Sequence, residues 1–223
     1  MSIAINMLVR NGEDFIEPCL TSVLLFVNKT VVTVDSRSDD KTREILKKLQ
    51  DIYSQLEVRE SEVKNPVLDL VSARNEQLKG ITEDWVWIID SDEYYPSDTV
   101  SDILGVVKKP QYDTIALSSW AVWNKEQYHV STTRIPSARL FRNLPNLHWE
   151  GKFGKEALFR DEIKLWNKDE PRPDVKILES RYIHFTHVKK DRWREEMKQE
   201  RSADGRNLRE LPKSIKKEIE NIL

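Results

Sequence analysis

The sequence predicts an α/β protein with a mostly parallel central sheet flanked by helices, a mixed β extension and closing C-terminal helices. Three observations carry this. Strand and helix signals alternate through residues 1–97. The run DWVWIID is apolar at almost every position, as a strand covered by helices on both faces must be. Beyond it, helical periodicity gives way to strand-like segments joined by turns.

The elements follow in order. SIAINMLV is a short apolar run rich in β-formers and reads as the first strand. EDFIEPCLTSVLLF has Phe15, Ile16, Cys19, Leu20, Val23 and Leu24 at helical spacing, with Pro18 set to kink or delay that helix. KTVVTVD is the second strand. DDKTREILKKLQDIY places Ile45, Leu46 and Leu49 on one helical face, with acids in the first turn to favour the helix dipole. QLEVRE is a third strand. NPVLDLVSARNEQLKGI begins with an Asn-Pro cap pair and has Gly80 near its end. DWVWIID is the fourth strand. YDTIALSSWAVW, RIPSARLFRN, LHWEGKFGKEALF and ILESRYIHFTHV follow as strands of the extension. DRWREEMKQERS and LPKSIKKEIENIL close the chain as helices. Residues 1–188 are expected to form one domain, divided at 97/98, and 189–223 a helical extension.

Composition narrows the function classes. Thirty-six basic against 38 acidic residues leave a net charge of −2, so no molecule-wide field recruits nucleic acid or acidic lipid. The one cysteine, Cys19, allows no disulfide within the chain and reads as a small core residue. MSIAINMLVRNGEDF lacks the pattern of a signal peptide, and no run is long enough to span a membrane. A cytoplasmic location is the expectation.

Strands alternating with helices imply right-handed βαβ units, whose ligands bind beyond the carboxyl ends of the strands. Strand one runs into Arg10 and Asn11, strand two into Asp35, and strand four into Asp90 and Asp92. The fourth strand therefore finishes by crowding Asp90, Asp92 and Glu93 within four positions. At an effective dielectric near 20, two such charges ~4 Å apart repel by roughly 4 kcal/mol. Either the turn is solvated, or a cation belongs there.

NMLVRNGEDFIEPCLTSV, VTVDSRSDDKTREILKKL and SARNEQLKGITEDWVWIIDSDEYYP, in that order, closely resemble the family 2 glycosyltransferases of GT-A fold, in particular their small lipopolysaccharide-core glucosyltransferase-like branch. ARLFRN, WEGKFGKE and YIHFTHV continue the likeness more weakly. The resemblance implies a soluble, metal-dependent, inverting enzyme. It would transfer a hexose from a nucleotide-diphosphate sugar, with uridine as the expected base, to an acceptor hydroxyl on a glycan, lipid-linked glycan, protein or modified nucleic acid.

The resemblance also implies roles. Val9, Arg10, Asn11 and Glu13 would line the nucleotide pocket, although Gly12 breaks the acidic pair usual after the asparagine. Asp35 would read the base, with helix capping as its plain alternative, and Asp39 and Asp40 as likelier caps. Arg74 would lie near the nucleotide; its plain alternative is a surface ion pair. The Asp-x-Asp motif falls on Asp90, touching ribose or a metal-bound water, and Asp92, a direct ligand of Mn²⁺ or Mg²⁺, hard cations suited to oxygen donors. Glu93 is expected to support these residues or face solvent. His184 would be the further protein ligand; strand alternation turns His187 the other way. The acceptor base would be Glu156 or Glu150, which an uninterrupted strand puts on one face. FGKE keeps Glu156 but lacks the histidine of the family's Val-His-Glu. Trp85 and Trp87 read as core. Trp120, Trp123 and Trp149 either stack on an acceptor sugar or pack the extension against the sheet.

Three rivals remain. A sugar-nucleotide nucleotidyltransferase would bring a glycine-rich loop after the first strand, where Gly12 stands alone. A hydrolase with paired carboxylates would not need nucleotide-reading residues. A degenerate binding module would keep the nucleotide rim without the base.

Overall fold

The computed structural model describes residues 1–61, 64, 69–122, 128–130 (backbone only), 136–152, 156–167, 169–170, 172–185 and 213–222. Four strands and three helices build the first half: strands β1 (Ile3–Val9), β2 (Lys29–Val34), β3 (Leu56–Glu60) and β4 (Trp85–Ile88) with helices α1 (Ile16–Thr21), α2 (Thr42–Ile52) and α3 (Leu70–Leu78) between them. β1 pairs in parallel with both β2 and β4, and β2 with β3. The carboxyl ends of these strands therefore share one rim, as the alternation predicts.

The second half contains β5 (Glu93–Tyr94), α4 (Ser97–Val107), β6 (Thr114–Val122), β7 (Tyr128–Val130), β8 (Ser137–Arg142), β9 (Leu147–Glu150), β10 (Ala157–Arg160), β11 (Ile163–Lys164), β12 (Val175–His184) and α5 (Lys213–Ile222). It extends the first sheet instead of standing apart. The strand order is β3-β2-β1-β4-β8-β6-β12-β5, with β7 on β6, and β9, β10 and β11 form a separate small sheet. β8 is antiparallel to β4 and β6, whereas β12 runs parallel to β6.

Several expectations are corrected. The single helix read from Phe15 to Leu24 is a short α1 followed by a 3-10 turn at Leu24–Phe26. Pro18 sits in its first turn, where its missing N–H costs nothing. The described part of α3 starts at Leu70, capped by Asp69, whose carboxylate accepts the Ser72 N–H at 3.2 Å; Asn65 and Pro66 lie outside the described residues. LHWEGKFGKEALF is no uninterrupted strand: β9 ends at Glu150, Gly151 takes φ 113°, and β10 returns antiparallel from Ala157. α4 went unread, although Val100, Ile103, Val106 and Val107 recur at helical spacing and all are buried. DRWREEMKQERS, Trp123 and His187 lie outside the described residues.

Among the described residues, three apolar clusters hold these elements. The largest joins Ile5, Met7, Leu20, Val32, Leu46, Trp85, Trp87 and Ile103, between one face of the sheet and α1, α2 and α4. Burying each such side chain stabilises the fold by about 1.5–3 kcal/mol. Trp85 and Trp87 are core residues, as expected, and Cys19 is fully buried. On the other face Val86, Ile88, Phe141, Leu158 and Leu165 fix the small sheet, with Trp149 packed edge-on against Phe141 at 6.5 Å. Ile215 and Ile219 of α5 enter a third cluster with Phe15, Cys19, Ile183 and Phe185. Among the described residues no helix is long and apolar enough to cross a membrane.

Candidate active site

The loop after β1 is welded to the segment after β2. Gly12 N–H donates to Thr42 Oγ1 at 2.8 Å, and Glu13 N–H to Asp40 Oδ2 at 2.9 Å. In return Glu13 Oε2 accepts the Lys41 N–H at 3.1 Å, and Asn11, at φ 51°, exchanges side-chain bonds with Asp39. Asp40 also accepts the Thr42 N–H, so it serves the start of α2, whereas Asp39 serves Asn11. The glycine that breaks the expected acidic pair has a steric reason. A Cβ on Gly12 would stand 2.7 Å from Val9 Cγ2 and 3.4 Å from Ser91, inside the acidic turn. Val9 is itself buried in the core.

Asp35 directly follows β2, and its N–H donates to the Val9 carbonyl at 2.9 Å. Its carboxylate is buried beneath Arg37, which donates from its backbone N–H at 2.9 Å, from Nε at 3.0 Å and from Nη2 at 2.6 Å. Burial pushes this carboxyl up, but the Arg37 bonds and the nearby Arg10 charge hold it below its ordinary value. Asp35 does not cap α2.

The crowding of Asp90, Asp92 and Glu93 is met by two arginines and a histidine. Asp90 Oδ1 accepts from Arg74 Nη2 at 3.1 Å, and Asp90 Oδ2 from Arg139 Nη1 at 3.5 Å. Glu93 is fully buried, which corrects the expectation that it could face solvent; it accepts from Arg139 Nη2, Tyr95 Oη and the Asp90 N–H. Asp92 Oδ1 lies 3.4 Å from His184 Nε2. The pairing of β5 with β12 sets Glu93 opposite His184, and Phe185 N–H donates to the Asp92 carbonyl at 2.9 Å. Phe185 then stacks on Phe15 with ring centroids 4.6 Å apart, tying the end of β12 to the first loop.

The electrostatics follow from this packing. Enclosure pushes Asp90 up, but Arg139 and Arg74 outweigh it and hold the carboxyl low. Burial pushes Glu93 up to about 7, against Arg139 and with the help of Asp90. Burial pulls His184 down, yet the Asp92 carboxylate outweighs it and raises the imidazole above its ordinary value. Asp90 keeps a side chain 39% exposed, so it can meet a ligand while held by both arginines.

Asp92 and His184 supply one oxygen and one nitrogen donor at the rim. Among the described residues no group of three or more His, Cys, Asp or Glu side chains could hold a metal. Two protein donors fit a cation that takes its other ligands from phosphate and water.

The two glutamates proposed from sequence do not share a strand face. Glu150 ends β9 in the open, where Oε1 meets His148 Nε2 at 2.9 Å; Glu156 is partly buried ahead of β10. β9 is nevertheless fixed to the acidic site through α3. Asn75 donates to the Trp149 carbonyl at 2.9 Å and accepts the Trp149 N–H at 2.7 Å, one residue from Arg74. Gln77 completes the helix's grip by donating to the Met7 carbonyl at 2.7 Å. Arg139 and Arg37 were missed by sequence reading. An arginine between Ala138 and Leu140 in an apolar strand was the available signal for the first.

The model of Glycosyl transferase family 2 matches residues 4–166. The chain belongs to that family. An uncharacterized glycosyltransferase of Mycoplasma genitalium is 27% identical over 141 residues, 59% of this chain and 46% of its own length. The SPbeta prophage-derived glycosyltransferase SunS of Bacillus subtilis is 27% identical over 158 residues, 70% of this chain and 35% of its own. This family 2 chain thus spans half or less of the curated relatives it matches. The crystal structure of Staphylococcus aureus TarS 1-349 superposes with a TM-score of 0.55 at 17% identity, covering 83% of this chain and 61% of that one. The fold of this family 2 member is the GT-A glycosyltransferase fold.

Proposed function

We propose that this chain is a metal-dependent, inverting glycosyltransferase that moves a hexose from a nucleotide-diphosphate sugar, with uridine as base, to an acceptor hydroxyl. Family membership supports transfer from a nucleotide sugar. The observation that carries the finer reading is Asp92 set against His184 on the rim, beside Asp90 held by two arginines. In this reading residues 1–97 receive the donor, 98–188 the acceptor, and 189–223 form a helical extension.

Asp92 and His184 would hold Mn²⁺ or Mg²⁺, which supplies Lewis-acid stabilisation of the charge on the departing diphosphate. Asp35 orients the base at the end of β2, with Val9, Arg10, Asn11 and Glu13 forming the neighbouring wall. Asp90 meets the ribose, and Arg74 keeps its carboxylate in place. The acceptor oxygen attacks the anomeric carbon as the bond to diphosphate breaks, and configuration inverts. Glu156, or else Glu150, accepts the acceptor proton. A donor-binding module without transfer is the second reading, favoured by Glu150 facing solvent with His148 as its partner.

A thermal-shift panel of nucleotide sugars, with and without Mn²⁺, tests this. One nucleotide class is expected to stabilise the chain when Mn²⁺ is present, and Asp92→Ala to remove most of that response. Indifference to every sugar nucleotide in Mn²⁺ contradicts it.

A further inference from the structure

In the proposed reaction Arg139 only helps to hold Asp90, yet its guanidinium engages Asp90, Glu93 and Tyr182. β8 runs antiparallel to β4 with Leu140 opposite Trp87, so Arg139 is one step closer to the acidic turn. Its side chain is 14% exposed. One guanidinium reaches both Asp90 and Glu93, and it also donates to Tyr182 Oη from Nη2 at 2.9 Å and Nε at 3.3 Å. Tyr182 stacks on Tyr95, whose hydroxyl donates to Glu93 at 3.2 Å. The fork is therefore fixed from both sides before any substrate arrives.

Charge and shape give this arrangement a consequence. A planar guanidinium can satisfy two carboxylates at once, whereas an ammonium is a point charge. Arg139 compensates Glu93 and shares Asp90 with Arg74, and the third crowded acid, Asp92, sits against His184. Without the fork, Asp90 would keep Arg74 alone and Glu93 would lose its cation, so the two would form a second, deeper attraction for a divalent cation.

We propose that Arg139 is a positioning residue for the transfer: its fork occupies Asp90 and Glu93, so that an incoming divalent cation is drawn to Asp92 and His184. This rests on the metal-dependent reading given above. It is tested on the full chain with Arg139→Gln and Arg139→Lys, by thermal shift against Mn²⁺ alone and by donor turnover. In Arg139→Gln the Mn²⁺ concentration giving half the shift is expected to fall about tenfold, because Glu93 without its arginine, and Asp90 left with Arg74 alone, attract the cation. Its kcat is expected to fall about 100-fold with little change in donor KM, because the cation is misplaced. Adding Asp92→Ala to Arg139→Gln should leave a Mn²⁺ response that Asp92→Ala alone abolishes. Arg139→Lys restores charge without the fork, so its Mn²⁺ midpoint stays near wild type while kcat remains down about tenfold.

Turnover and Mn²⁺ midpoint both within about twofold of wild type in Arg139→Gln overturn the inference. So does a lower melting temperature with an unchanged Mn²⁺ midpoint, the mark of a merely structural residue. If Arg139→Gln does not fold, Arg139→Lys decides alone, and wild-type kcat in it overturns the inference. A wild-type chain blind to Mn²⁺ overturns the proposed function and this inference together. A responsive wild type with an indifferent Arg139→Gln overturns this inference only.

Discussion

His184 Nε2 lies 3.4 Å from Asp92 Oδ1, at the junction of β12 with the turn that ends β4. Burial lowers the imidazole and Asp92 raises it more, so its folded value stands above the unfolded one. A raised histidine stabilises fully below its unfolded value, near pH 6.5, and that contribution is lost as pH rises through the folded value. In metal-free protein, the melting temperature is therefore expected to decline with rising pH above about 6.5 through this pair, and His184→Asn to flatten that part of the profile. The same proton competes with a cation, so Mn²⁺ should bind more tightly as pH rises across this window. Melting curves over pH, with and without Mn²⁺, check both; identical profiles in wild type and His184→Asn contradict them.

Asp35 behaves in the opposite sense. Burial raises it, the Arg37 bonds lower it further, and the folded value ends below the unfolded one. Its contribution is present above about pH 3.8 and is lost as pH falls through the folded value. Arg37→Ala leaves a buried carboxylate short of donors. Because Arg37 is 37% exposed, water replaces part of the loss, and a cost of about 1 kcal/mol is expected in urea denaturation. The acid limb of the stability profile should also move to higher pH.

Gly12→Ala tests the weld between the first loop and the acidic turn. The added Cβ would meet Val9 Cγ2 at 2.7 Å, a short branched side chain already buried in the core. Overpacking of this kind costs about 1–3 kcal/mol. The same Cβ would touch Ser91, between Asp90 and Asp92, at 3.4 Å, so a loop displaced from Val9 has the acidic turn as its neighbour. Donor-induced thermal shift should therefore weaken by more than the stability loss alone would cause.

Asn75→Ala removes both bonds to the Trp149 backbone. A loss of about 1–3 kcal/mol is expected, read by urea denaturation, since two backbone groups lose their partner. Hydrogen exchange should quicken in β9 and β10 while β1 and β2 keep their protection.

Much of the fold was legible because periodicity and burial agree in the first half. The apolar runs of β1, β2 and β4 are buried, and the acids and amides that follow them lie on one rim. α2 is amphipathic and was read nearly to its ends. The extension was harder, since β8 enters between β4 and β6 from far along the chain and no local pattern specifies that pairing. For the same reason Arg139 was invisible as a partner of Asp90 and Glu93, 49 and 46 residues away. The crowding of the acids signalled a missing positive charge, and part of that charge proved to be protein. The strand expected to align Glu150 with Glu156 failed because Gly151, at φ 113°, turns the chain.

Donor turnover in Mn²⁺ without acceptor, compared between wild type and Asp92→Ala, bears most directly on the claim that the acidic turn ending β4 is a donor site. Slow release of free sugar from one nucleotide sugar is expected from the wild type, abolished by chelation and reduced about 100-fold or more in Asp92→Ala. Turnover that survives both chelation and Asp92→Ala would contradict that claim.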